Sequence, residues 1–106
     1  MTDATLIGQR LRAWRQVINK RAKDLVKESE GSFGPHYWSQ WENGKRRISI
    51  DHAIELCDRY PGITLDFIFR GQMGGMPYDL VEALRGTRIV AHPGSRQTGT
   101  KQKAVA

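Results

Sequence analysis

The chain has 106 residues and a formal net charge of +6. That length supports one small core plus a tail, not two cores. No apolar run approaches the roughly 20 residues of a membrane span, the N-terminus lacks a basic-then-apolar leader, and the single Cys57 excludes an internal disulfide. A soluble, cytoplasmic protein without membrane contact is therefore expected. The charge is unevenly placed. Residues 1–85 carry 13 Lys/Arg against 11 Asp/Glu, a net of +2, and residues 86–106 carry four cations and no acids, a net of +4. Any polyanion partner of the globular part must be met by locally placed cations.

The first predicted element is a helix from about Ala4 to Ile18, in which Ile7, Leu11, Trp14 and Ile18 form one apolar stripe. Arg10, Arg12 and Arg15 lie off that stripe. A short second helix covers Lys20 to Ser29, with Ala22, Leu25 and Val26 toward the core. Glu30-Gly31-Ser32-Phe33-Gly34 reads as a turn. Pro35 then suits a first helical position, where its missing N–H costs nothing. The third helix ends at Asn43-Gly44, a pair suited to a left-handed helix end.

Ser49 is the expected N-cap of a fourth helix, with Asp51 in its first turn and Ile50, Ala53, Ile54 and Cys57 on its apolar face. Pro61-Gly62 ends it. Thr64 caps a fifth helix over Leu65 to Phe69, closed by Gly71. Gln72 to Met76 reads as a linker, and Pro77 to Arg85 fits a short sixth helix with Leu80, Val81 and Leu84 on one side. No segment sustains a two-residue alternation, so the fold class is all-α. The expected layout is a core domain over 1–71, a linker and short helix over 72–85, and a basic tail over 86–106 that is too poor in apolar residues to order itself.

The most informative stretch runs from Tyr37 to Arg47. A short helix carries His36, Tyr37 and Gln40 outward and Trp38 and Trp41 inward, with Trp41 half buried. Three cations, Lys45, Arg46 and Arg47, follow at once. A compact helix with a basic rim is what entry into a DNA major groove requires. The Gln40 amide offers one donor and one acceptor, which match adenine N6 and N7. His36 can donate to guanine or phosphate. Tyr37 can meet a thymine methyl or a phosphate, or pack on Trp41 instead. The ordinary alternative for Gln40 and His36 is plain solvent exposure, and for Lys45-Arg46-Arg47 a solvated turn.

Ile7-Gly8-Gln9-Arg10-Leu11-Arg12 with Arg15, Leu25-Val26, Ser39-Gln40-Trp41-Glu42-Asn43-Gly44-Lys45, and Ile63-Thr64-Leu65-Asp66-Phe67-Ile68 together resemble the helix-turn-helix domain of the Cro and phage-repressor family. The resemblance covers about Leu6 to Gly71. It implies a compact five-helix, lambda-repressor-like fold with the reading helix third. It implies base reading at the Gln40 position and an ion pair between Arg15 and Glu42; His36 and Tyr37 join Gln40 as base readers, Asn43, Lys45, Arg46 and Arg47 stand just past the helix for phosphates, and Arg21 can take a phosphate at the start of the second helix. The chain departs from the family pattern in three ways. Arg21-Ala22 replaces a frequent Thr-Gln, the turn before the third helix is about two residues longer, and Gly34-Pro35 replaces polar residues that often contact bases.

His36, His52 and His92 share no ligand spacing with one another or with Cys57, so neither a metal nor another cofactor is expected, and no enzyme. The reading is a DNA-binding transcriptional regulator, working as a homodimer on a two-fold site, with Ile63 to Phe69 and Leu80 to Leu84 as candidate contacts between copies. Two rivals stand beside it. One is an antitoxin-type interaction protein that uses its C-terminal region on a partner protein, and the other an adaptor that has lost DNA contact.

Overall fold

The computed structural model describes residues 3–87. The expected disorder of the basic tail falls on residues 88–106, outside the described residues. Among the described residues the fold is all-α: α1 (Ala4–Val17), α2 (Ala22–Glu28), α3 (Pro35–Glu42), α4 (Ile50–Arg59), α5 (Leu65–Arg70) and α6 (Tyr78–Arg85).

Helix α1 is the hub, since α3, α5 and α6 all pack on it. Its stripe explains why. Ile7, Leu11 and Trp14 are fully or almost fully buried, and Ile18 is partly so. The closest approach is at Gly8. A methyl group there would lie 2.4 Å from the Trp41 carbonyl oxygen and 2.6 Å from that of Glu42. Glycine therefore lets the backbone of α1 touch the end of α3. Asp3 caps the start of α1 by accepting from the Thr5 amide at 2.8 Å. At its other end Asn19 takes the left-handed conformation, with φ of 62°. The Asn19 amide donates to Gln16 and the Lys20 amide to Arg15, which satisfies two terminal carbonyls.

The caps expected for the later helices are present. Gly34 is the N-cap of α3 with Pro35 at its first position, Ser49 accepts from the His52 amide, and Thr64 accepts from the Phe67 amide. The link between α2 and α3 covers residues 29–34, longer than the turn of about 3–4 residues that joins helices in compact helical pairs. It is not a loose loop. Buried Ser29 donates to the Val26 and Phe33 carbonyls, and Phe33 turns into the core.

Phe33 belongs to the core although it sits in a Gly/Ser turn. Its ring stands 5.7 Å from Trp38 and 5.2 Å from Trp41. The apolar face of α4 also differs from expectation. Ala53 and Leu56 are buried and Cys57 is partly covered, whereas Ile50 and Ile54 remain 56% and 41% exposed. The inward stripe is 53, 56, 57 and 60 at helical spacing, so Ile50 and Ile54 fall on its flank.

Residues 72–85 are more than a linker. Met76 and Leu84 join the buried cluster, with Leu80 and Val81 against it, so the core runs to Leu84 and not to Gly71. Among the described residues no helix is long and apolar enough to cross a membrane.

Candidate nucleic-acid interface

Helix α3 packs inward on α1 and α2 and leaves one face to solvent. Trp38 and Trp41 face inward at 1% and 3% exposure, so Trp41 is more deeply set than the half burial expected for it. The loop carrying Phe33 closes over it, which the sequence pattern of α3 alone does not reveal. Stacking of free bases on either tryptophan is therefore not open to this surface. His36, Tyr37 and Ser39 are exposed on the other face. No side chain caps the N-terminus of α3, and since Pro35 has no N–H, the His36 and Tyr37 amides are the ones left without an acceptor inside the helix.

The end of α3 is built around Glu42. Its carboxylate accepts from Arg15 Nε at 2.5 Å, from Arg15 Nη2 at 3.2 Å, from Arg12 Nε at 3.3 Å and from the Trp38 indole N–H at 2.6 Å. The expected Arg15–Glu42 pair is present. Arg12 and Trp38 are additions that helical periodicity did not reveal, because they reach Glu42 from the flank of α1 and from within α3. Glu42 keeps only 6% of its side chain exposed, and a buried charge needs such partners. Arg15 also donates to the Lys20 carbonyl.

The chain then reverses in a Schellman cap. The Gly44 amide donates to Trp41 and the Lys45 amide to Gln40, with Gly44 at φ of 74°. Thr5 packs so close to Gly44 that an added methyl would sit 2.9 Å from its Cα. Both constraints ask for glycine. The cap delivers Lys45, Arg46 and Arg47 to the surface, all exposed, and among the described residues none of the three enters an ion pair.

The other proposed contacts fare differently. Arg21 is 70% exposed at the start of α2, loosely held to Asp24 at 3.5 Å. Asn43 is partly committed inside the protein, since its oxygen accepts from Arg12 and its nitrogen donates to Ser39. Gln40 departs from expectation. Its side chain is half-buried and its Oε1 is buried without a hydrogen-bond partner. The reversed loop is the reason: the Lys45 and Arg46 amides both donate to the Gln40 carbonyl, folding the chain back beside it.

Tyr37 is 45% exposed and stacks on Trp41, with ring centroids 6.4 Å apart and planes 21° apart. The Arg46 guanidinium lies 5.7 Å from the Tyr37 ring centroid. A recess of about 180 Å³ is bounded by Tyr37, Trp41, Arg46, Arg47, Ser49 and His52. His52 ties this region together, with Nδ1 2.9 Å from Ser49 Oγ and Nε2 3.3 Å from the Ser32 carbonyl.

Among the described residues no group of three or more His, Cys, Asp or Glu side chains is placed to hold a metal ion. Cys57 is partly covered on α4, and burial pushes its thiol pKa up, with Asp58 adding to the shift. That favours the unreactive protonated form. Compared with known proteins, the chain matches no family model, no curated protein and no solved structure.

Proposed function

We propose that the protein is a sequence-specific double-stranded DNA-binding transcriptional regulator that lays the outer face of α3 in the major groove. One observation carries the reading: a helix anchored on its inner side by two buried tryptophans ends in a cap that brings Lys45, Arg46 and Arg47 to the surface just past it, with none of the three in an ion pair among the described residues. Lys45 and Arg47, with Arg21 and the open amides at the start of α3, suit phosphates on either side of a groove. His36 and Tyr37 are the exposed candidates for bases, and Gln40 would have to rotate outward to join them.

One such helix can touch only a few base pairs, so the bound form is read as a two-fold dimer with half-sites about one helical turn, roughly 34 Å, apart. Of the apolar residues expected to meet between copies, Leu65 stays 37% exposed and Phe69, Leu80 and Val81 are only partly buried, while Ile63, Phe67, Ile68 and Leu84 turn inward. Among the described residues, Leu6, Tyr37 and Tyr78 are exposed elsewhere, while Ile50 and Ile54 on α4 and Leu65 on α5 leave apolar surface on adjacent helices, and Ile50 borders a recess shared with Phe69 and Arg70. This is the face on which a second copy would sit.

Selection of bound fragments from a random duplex library tests the reading. The expected result is one enriched, roughly palindromic motif whose affinity falls steeply with salt. Failure to enrich any motif would remove the proposal.

A further inference from the structure

We infer that Arg46 reads a guanine, with the Tyr37 ring as the platform that holds its guanidinium over the face of α3; the inference rests on the DNA reading above. Sequence position alone groups Arg46 with the phosphate-binding cations beyond the helix. The structure turns it back. The cap at Gly44 reverses the chain, and the Arg46 amide donates to the Gln40 carbonyl at 3.3 Å. Its guanidinium reaches the ring of Tyr37, within the separation of about 6 Å at which a cation is held by a π face. Tyr37 is itself fixed, because its ring stacks on the buried Trp41.

A cation that merely neutralises phosphate gains nothing from such a mount. A reader of bases does. A guanidinium is planar, and its parallel N–H donors match the N7 and O6 acceptors of guanine in the major groove. Resting it on a ring on the exposed face of α3 fixes that plane before DNA arrives. No carboxylate competes for it, since among the described residues Arg46 has no ion-pair partner.

Two neighbours sharpen the assignment. Gln40 is half-buried with its Oε1 covered, so it offers the groove less than Arg46 does. Arg47 is placed differently. It shares the recess lined by Tyr37, Arg46 and His52, but unlike Arg46 it also borders the larger one with Ile50, Phe69 and Arg70, on the α4–α5 side of the molecule. Arg47 thus remains a flanking phosphate cation, and Arg46 is the one set on α3.

The test is duplex selection with the full chain and with Arg46→Lys, Tyr37→Leu and Tyr37→Phe. The unaltered protein should enrich a motif with a guanine at one position of each half-site. Arg46→Lys should still bind DNA but lose preference for that guanine by on the order of tenfold, because an ammonium is a point charge without the fork. Tyr37→Leu should lose the same preference, and Tyr37→Phe, which keeps the ring, should retain it. If Arg46→Lys weakens every sequence alike with the guanine preference intact, or Tyr37→Leu leaves that preference unchanged, the inference is overturned while the DNA reading stands. If the unaltered protein enriches no motif, both fall.

Discussion

Trp38 donates its indole N–H to the Glu42 carboxylate at 2.6 Å, one helical turn further along α3. The bond joins the buried side of α3 to the charge cluster at its end. Arg15 and Arg12 approach the same carboxylate from α1. The orientation of α3 is thereby fixed by one acid that serves three donors.

Glu42→Gln should therefore be costly. It leaves Arg15, only 16% exposed, without its counter-charge. Removing one partner of a buried pair costs about 3–5 kcal/mol, and the partial exposure of the arginines favours the lower end. Urea denaturation checks this, and an unchanged midpoint would show that the cluster contributes little.

Gly8→Ala and Gly34→Ala should behave differently. At Gly8 the new methyl meets the rigid backbone of α3 and forces the two helices apart. Overpacking of this kind costs about 1–3 kcal/mol. At Gly34, with φ of −101°, a methyl meets nothing within 4 Å. That substitution should cost no more than about 1 kcal/mol, the usual difference between glycine and alanine at an N-cap. Thermal melts of the two variants side by side would reverse the argument if Gly34→Ala proved the more damaging.

Stability should decline at both extremes of pH through one linkage. Glu28 accepts from Lys20 and from the Tyr60 hydroxyl, each at 2.5 Å. Those bonds, Lys20 first, hold the Glu28 carboxyl below its ordinary value of 4.5. Its contribution is present above about pH 4.5 and is lost as pH falls through the lowered value. Burial, then the bond to Glu28, raises the Tyr60 phenol above its ordinary 10.0. Its contribution is complete below about pH 10 and fades as pH rises beyond it. Tyr60→Phe should flatten the alkaline limb of a plot of denaturation midpoint against pH, and Glu28→Gln the acid limb. Limbs that keep their slopes in the variants would assign the effect to other groups.

Residues beyond Gly71 should matter for folding. Leu84 is fully buried and α6 lies on α1. Leu84→Ala should cost about 2–5 kcal/mol, and a chain ended at Gly71 should lose its cooperative melt. Circular dichroism of both is enough to decide. A truncated chain that melts like the whole one would return the boundary to Gly71.

How much of this was legible in the sequence depends on whether the cause was local. Caps and helix ends were, because Ser49, Thr64, Pro35, Gly44 and Gly71 act on backbone groups within a few residues. The stripe of α1 was, because helical period is a property of the chain itself. The Arg15–Glu42 pair was legible only through a family resemblance. Tertiary structure alone decided the rest. Phe33 has no periodic partner, and only the fold of residues 29–34 carries it between Trp38 and Trp41. Ile50 and Ile54 look like core until the rotation of α4 is set by what packs on it. Gln40 is half-buried and Arg46 lies against the Tyr37 ring because the chain doubles back at Gly44, bringing residues six apart against one helix turn. Side-chain direction at such a reversal is fixed by the hydrogen bonds and packing that close it, not by the spacing of residues along the sequence.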